Sequence, residues 1–298
     1  MRRFATKVLY VGLGTMGFPI AGVLAKTFPT AVWNRTPAKT EAHAKQFGSI
    51  PLLGKSPWEH DLSDVDVMLT CLPTSTEVQT ISRDMGNARV KPGLVWLDNT
   101  SGFPAVSKEI GKELAVKDVF FLDTPISGGR KGATNSALTI GISGNKQAYE
   151  RALPVLQQMG KNITFLGETV GTAHAWKGLN NLLYGCNLLL AMKAGQAFEQ
   201  QGIDVNSALK AVMTSSGGSN SMVRVHEYMT HNRTIDYSFL ASFLIKDMNI
   251  GLSLIEKRDE SDPTYRMFTA IRDLYVEAAK KSGYDTAEVF DAFRFIER

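Results

Sequence analysis

The segment that most limits what this chain can become is Gly12-Leu13-Gly14-Thr15-Met16-Gly17. Ahead of it, Lys7-Val8-Leu9-Tyr10-Val11 is apolar and rich in β-formers and reads as a buried strand. Behind it, Met16, Ile20, Val23 and Leu24 recur at helical spacing, and Thr30-Ala31-Val32-Trp33 reads as a second strand. A G-x-G-x-x-G alone is a weak signal, but strand, glycine turn, helix and second strand together are the context that gives it meaning. Gly12 permits a tight turn that a side chain would block. Gly14 lets the backbone approach a pyrophosphate, and Gly17 lets the helix lie close to the strand. The helix N-terminus then turns N–H groups and a partial positive charge toward the phosphates. Gly12, Leu13, Gly14, Thr15, Met16 and Gly17 are therefore the expected dinucleotide contacts.

The end of the second strand reads the cofactor. An NAD site usually carries Asp or Glu there, to accept from the ribose 2′-hydroxyl. This chain has neutral Asn34, followed by Arg35 and Thr36. A carboxylate would repel a 2′-phosphate, whereas arginine pairs with it through two N–H donors. The expected cofactor is NADP(H), with NAD as the alternative and an ordinary surface role as the alternative for Arg35.

With 298 residues the chain has room for two domains. A net charge of +4 without a basic cluster or aromatic-basic stripe argues against nucleic acid as a partner. No stretch is apolar for long enough to span a membrane. Cys71 and Cys186 lie far apart, without metal-ligand spacing, and Cys71 sits in an apolar run that predicts a buried thiol. Arg2 and Arg3 precede a strand that starts at Lys7, which leaves no room for a targeting peptide. The expected location is cytoplasmic, or the mitochondrial matrix if a presequence has been removed.

Strands then alternate with helices. Val65–Leu72, Leu94–Asp98, Val119–Asp123, Leu138–Gly144 and Ile163–Leu166 read as strands. Pro37–Phe47, a stretch capped by Thr74 or Ser75, Pro104–Leu114 and Lys146–Met159 read as helices. This order predicts a Rossmann-type, doubly wound α/β domain with a mostly parallel sheet over residues 1–168. From Thr172 onward the periods are helical only. Residues 172–201 form one long helix of roughly 45 Å at 1.5 Å per residue. Its apolar residues, including Trp176, Leu179, Leu183 and Leu190, wrap much of it, so it is expected to be buried between bodies. It opens an all-α C-terminal domain over 169–298, with further helices at 205–213, 222–229, 240–255, 264–281 and 286–296. The apolar surface of that domain predicts a homodimer or homotetramer.

Ligands of open α/β sheets bind beyond the carboxyl ends of the strands. Besides the glycine turn, three loops emerge there: Leu72-Pro73-Thr74, Asn99-Thr100-Ser101 and Ser127-Gly128-Gly129. Leu72, Pro73 and Ser101 are expected beside the cofactor. Ser127 with Gly128 and Gly129 offers a hydroxyl and adjacent backbone N–H groups to an anion, or is a plain glycine turn. On the long helix Lys177 and Asn181 are four residues apart and share a face. Polar groups in so apolar a helix need a purpose. Burial moves a lysine pKa down, which suits an acid/base; a lysine snorkelling over apolar surface is the alternative. Lys246, in Lys246-Asp247, reaches the cofactor or stays solvated. The five histidines show no metal spacing; His174, one turn before Lys177, is expected in the core or at the surface, with a place near the site as the alternative.

Four ordered segments resemble the β-hydroxyacid dehydrogenase family, in its 3-hydroxyisobutyrate dehydrogenase-like branch. They are Gly12–Ala21, Asp123-Thr124-Pro125-Ile126-Ser127-Gly128-Gly129, Lys177-Gly178-Leu179-Asn180-Asn181 and Lys246-Asp247. The resemblance covers essentially the whole chain. It implies that Ser127, Gly128 and Gly129 hold a substrate carboxylate and that Lys177 is the catalytic acid/base. It further implies that Asn181 orients the substrate and Lys246 lies over the cofactor. The activity implied is hydride transfer between a small 3-hydroxy acid and its semialdehyde. NADPH-dependent reduction of tartronate, succinic or glyoxylic semialdehyde is one alternative, and a non-catalytic NADP-binding protein another. Ala173 stands where the family usually has glycine, Thr100-Ser101 where it has Ser-Thr, and Trp176 where a small residue is common, so Trp176 is expected to narrow the pocket.

Overall fold

A computed structural model of the chain describes residues 6–86, 88–233, 239–256 and 261–296. Arg2 and Arg3 lie outside the described residues. Contacts divide the chain into two units, Met1–Lys177 and Gly178–Arg298.

The first unit alternates strand and helix. Its elements are β1 (Val8–Val11), α1 (Gly17–Ala25), β2 (Thr30–Trp33), α2 (Pro37–Phe47), β3 (Ile50–Pro51), β4 (Val67–Thr70), α3 (Ser75–Asp84), β5 (Leu94–Asp98) and α4 (Pro104–Ala115). There follow β6 (Val119–Asp123), β7 (Ile126–Ser127), α5 (Gly129–Thr134), β8 (Leu138–Ser143), α6 (Lys146–Met159) and β9 (Gly160–Gly167). The sheet runs β3-β2-β1-β4-β5-β6-β8-β7, with β9 beside β8. Pairing is parallel except where β8 meets β6 and β7.

Period-two alternation feeds both faces of this sheet. Val8 and Tyr10 join a core with Ile20, Leu24, Val155 and Leu156 of α1 and α6. Leu9 and Val11 join the other, with Val78, Ile110, Leu114 and the fully buried Trp96. β1 is therefore apolar on both sides, as a strand covered by helices on both faces requires. The helices start at local signals. Thr74 and Glu77 close a capping box on α3, Asn145 accepts from Ala148 N to cap α6, and prolines open α2 and α4.

Register lines up the strand ends. Val11 pairs with Trp33 on one side and Thr70 on the other, Thr70 with Asp98, and Asp98 with Asp123. The carboxyl edge thus carries a row of residues from adjacent strands. Strand order reverses between β1 and β4, the switch point at which such sheets leave a crevice.

The second unit is helical: the 29-residue α7 (Thr172–Gln200), whose first residues belong to the first unit, then α8 (Val205–Met213), α9 (Asn220–Thr230), α10 (Ala241–Leu252), α11 (Pro263–Ser282) and α12 (Val289–Ile296). Asp204, Ser219 and Asp262 cap α8, α9 and α11. Leu182, Leu189, Met192, Tyr228, Met248, Tyr275 and Phe293 form its core. α7 and α10 touch through glycine: a Cβ on Gly251 would lie 2.6 Å from the Gly178 carbonyl oxygen.

Several expectations are corrected. α7 is not apolar-buried all round, since Leu179, Leu183 and Leu190 are 38%, 58% and 60% exposed. Cys71 is half-buried rather than buried, whereas Cys186 is buried, and burial pushes its thiol up to about 11. β3, β7 and α5 went unread because two to six residues hold too little pattern to register a period. Past Thr172 a single isolated bridge, Leu240 to Glu288, joins backbone segments among the described residues.

Candidate active site

The glycine turn has the geometry its sequence requires. Gly12 has φ +100°, and a Cβ there would lie 2.4 Å from the Cys71 carbonyl oxygen. A Cβ on Gly17 would lie 1.9 Å from the Gly12 carbonyl oxygen, so the helix start rests directly on the turn. Around Gly14 nothing stands within 4 Å, and Gly14 and Thr15 are exposed. Met16 begins α1 without a side-chain cap; Phe18 N donates to the Gly14 carbonyl at 3.0 Å and Pro19 has no N–H, so an anion here would meet the N–H groups of the turn itself, up to Gly17. Asn34 braces the turn: its Oδ1 accepts from Leu13 N at 2.9 Å and its Nδ2 donates to the Thr36 carbonyl at 3.2 Å. Arg35 and Thr36 are exposed beside it. These features fit a dinucleotide: open space around Gly14, no side-chain cap on α1, and the exposed Arg35 just past β2.

The neighbouring loops are held by hydrogen bonds. Leu72 N donates to Thr100 Oγ1 at 3.1 Å; Leu72 is half-buried and Pro73 exposed. Asn99 donates to Thr124 Oγ1 at 2.8 Å and accepts from Tyr10 at 3.3 Å. Ser101 is half-buried. Ser127 ends β7, and Gly128 and Gly129 follow at φ +130° and +61°, exposed at the start of α5. Positive φ at both positions excludes other residues at low cost.

Asp98 and Asp123, to which the sequence assigns no role of their own, end β5 and β6 and are buried. Asp98 accepts from Thr70 Oγ1 at 2.8 Å and from Thr100 N at 3.1 Å, and burial pushes its carboxyl up. Asp123 Oδ1 accepts from Gly171 N and from Ser143 Oγ, each at 2.8 Å, and its Oδ2 accepts from His174 N at 2.9 Å. Ser143 Oγ in turn accepts from Ala173 N at 2.9 Å. His174 is in the core, its Nδ1 hydrogen-bonded to Ser107 Oγ at 2.6 Å and its Nε2 3.9 Å from Asp98 Oδ2. The signal that could have revealed both aspartates is a carboxylate ending an otherwise apolar strand.

Lys177 stands one turn beyond His174 and is 7% exposed, so it does not project into bulk solvent. Trp176 beside it lies over β8 rather than standing free: a Cβ on Gly141 would meet its ring at 2.7 Å. Its bulk fills the space left by a missing side chain, which explains how the chain accommodates it. Within the second unit, Asn181 is buried, and its Nδ2 donates to Asp247 Oδ2 at 2.5 Å. Asn180 Nδ2 donates to Asn181 Oδ1 at 3.0 Å. Asp247 Oδ1 is 3.2 Å from Lys246 Nζ, and that ammonium lies 5.9 Å from the centre of the Phe243 ring. Lys246 is thus paired and largely buried, not solvated. Among the described residues no three His, Cys, Asp or Glu side chains gather to hold a metal, and no helix is long and apolar enough to cross a membrane.

Residues 7–167 match the NAD binding domain of 6-phosphogluconate dehydrogenase, and residues 171–294 match the NAD-binding of NADP-dependent 3-hydroxyisobutyrate dehydrogenase. The class is therefore that of the nicotinamide-dinucleotide oxidoreductases with a helical C-terminal domain, and the cofactor is NADP or NAD. The mitochondrial 3-hydroxyisobutyrate dehydrogenase of Pongo abelii is 31% identical over 98% of this chain and 87% of that protein. The 2-(hydroxymethyl)glutarate dehydrogenase of Eubacterium barkeri is 29% identical over 89% of this chain and 87% of that one. Among solved structures, a 3-hydroxyisobutyrate dehydrogenase of Mycobacterium tuberculosis with L-serine shares the fold at TM-score 0.82 and 20% identity, over 99% of this chain and 100% of that one. The chain belongs to the 3-hydroxyisobutyrate dehydrogenase-like family of NAD(P)-dependent β-hydroxyacid dehydrogenases.

Proposed function

We propose that this enzyme interconverts 3-hydroxyisobutyrate, or a similarly small 3-hydroxy acid, and its semialdehyde, with NADP(H) preferred. The observation that carries the reading is a buried lysine, Lys177, one turn into α7 and in the same unit as the glycine turn. Gly12 to Gly17, Leu72, Pro73 and Ser101 hold the dinucleotide, with Asn34, Arg35 and Thr36 at its ribose and Lys246 over it. When bound, that cofactor supplies the hydride acceptor or donor. Ser127 Oγ and the Gly128 and Gly129 N–H groups bind the substrate carboxylate, and Asn181 orients the substrate. In oxidation the Lys177 amine takes the hydroxyl proton while the carbon loses its hydride and the C–O bond becomes a carbonyl. In reduction the ammonium returns that proton to the oxygen. Fixing the carboxylate sets the distance between the reacting carbon and the hydride acceptor.

A panel of 3-hydroxyisobutyrate, L-serine, 2-(hydroxymethyl)glutarate and the tartronate, succinic and glyoxylic semialdehydes, run against NAD(H) and NADP(H), tests the substrate. A kcat/KM highest for a semialdehyde with NADPH would favour the reductase reading, which the exposed Arg35 supports. Lys177→Ala should lower kcat by about 10²–10⁴-fold while NADPH still binds; turnover near the wild-type rate would remove the lysine from this role. Assembly as a homodimer or homotetramer is proposed from the exposed Leu183 and Leu190 of α7. Light scattering of the purified protein decides it.

A further inference from the structure

The start of α7 is capped in an unusual way. Helix N-termini are ordinarily satisfied by a side chain at the N-cap position itself. Here the partners come from far along the chain. Gly171 N and His174 N go to Asp123, at separations of 48 and 51 residues, and Ala173 N goes to Ser143, 30 residues away. Asp123 and Ser143 also pair with each other across β6 and β8, both through the backbone register and through Ser143 Oγ to Asp123 Oδ1. A fourth point of attachment is the His174 side chain, buried between Ser107 of α4 and Asp98 of β5. Its ring also packs on Gly102, where a Cβ would lie 3.2 Å from His174 Cε1 and Nδ1.

We infer that Asp123, Ser143 and His174 are positioning residues for Lys177, fixing the rotation and height of the first turn of α7 against the carboxyl edge of the sheet. A local cap satisfies N–H groups yet travels with its helix. A cap supplied by two neighbouring strands ties the helix to them. The two oxygens of one carboxylate, gripping N–H groups three residues apart, resist rotation about the helix axis. Lys177 is three residues past His174, so any rotation of this turn carries it along. Turning a helix by about 10° moves an ammonium roughly 6 Å from its axis by about 1 Å, a misplacement that can cost about 10²-fold in rate. The negative charge of Asp123 also suits the positive end of α7. Burial makes the arrangement exacting, because a carboxylate removed from water must keep its hydrogen bonds.

The inference rests on Lys177 as the acid/base, and the test separates the two claims. With the full-length enzyme and the best substrate of the panel above, Ser143→Ala and Asp123→Asn should each lower kcat about 10- to 100-fold, with the NADPH dissociation constant changed less than twofold. Amide exchange across residues 171–177 should quicken in both. His174→Gln should retain more activity than His174→Ala. Ser143→Ala added to Lys177→Ala should cost nothing further, because the residues act through one group. If Lys177→Ala abolishes turnover while Ser143→Ala and Asp123→Asn keep kcat within twofold, the inference falls and the lysine reading stands. A multiplicative loss in the double variant also overturns it. If Lys177→Ala turns over normally, the lysine reading falls and takes the inference with it. Should Asp123→Asn not fold, Ser143→Ala and the His174 pair decide.

Discussion

Asn34 at the end of β2 holds the glycine turn after β1, its Oδ1 accepting the Leu13 N–H at 2.9 Å. The residue proposed to meet the cofactor ribose is therefore also a structural brace, and both roles can be probed by one atom change. Asn34→Asp keeps an acceptor for Leu13 but adds a charge that repels a 2′-phosphate. The KM for NADP should rise at least about tenfold, the equivalent of 1.4 kcal/mol, while turnover with NAD persists. Arg35→Ala should weaken NADP by about 10- to 100-fold, the range expected for lost charge-assisted hydrogen bonds, and leave NAD unchanged. Initial rates with both cofactors check this; equal effects on NAD and NADP would contradict the assignment.

The glycines of the turn should separate under mutation. Gly14→Ala meets nothing within 4 Å and needs no unusual backbone, so the melting temperature should hold while dinucleotide affinity falls. Gly17→Ala drives a methyl against the Gly12 carbonyl and should lower both. Thermal melts with NADPH titrations distinguish the outcomes, and an unaltered affinity in Gly14→Ala would show that the cofactor does not pass over it.

A pH dependence follows from His43, buried on α2 between Phe18 and Phe47, with Nδ1 on Ser49 Oγ at 2.8 Å and Nε2 on the Phe18 carbonyl at 3.1 Å. Burial lowers its pKa below 6.5. Below that value the unfolded chain binds the proton more readily than the folded one. Stability is therefore complete above about pH 6.5 and declines as pH drops toward the folded-state pKa. The melting temperature should fall from pH 7 to pH 5.5, and His43→Gln should flatten that slope. An identical slope in the variant would assign the effect elsewhere.

Asp247 is buried and serves both Asn181 and Lys246. Asp247→Ala leaves an ammonium and an amide without this partner in a largely dry place, and should cost about 3 kcal/mol of stability. Asp247→Asn, which keeps one acceptor, should cost less. Urea denaturation measures both, and equal losses would argue against the ion pair as the cause.

Much of the fold was legible because its determinants are local. β2, β5 and β6, and the helices α2, α6 and α8, occupy the spans that periodicity and capping residues mark out. The glycine turn was legible for the same reason: its backbone demands fall on residues adjacent in the chain. Short elements such as β7 and α5 were not, because their stability comes from pairing with β8 or packing on α1 rather than from their own pattern.

Sequence alone determined that a strand, a glycine turn, a helix and a second strand follow one another from Val8 to Trp33, and that a lysine and an asparagine would share one face of α7. Tertiary structure decided what those side chains rest on. Nothing near Lys177 in the chain announces that Asp123 and Ser143 cap its helix, or that Trp176 lies over the bare Gly141. Nor does the composition of α7 reveal that Leu183 and Leu190 stay exposed. The physical reason is that a local preference belongs to a few neighbouring dihedral angles, whereas burial and hydrogen-bond partners depend on which distant strands the folded sheet brings alongside.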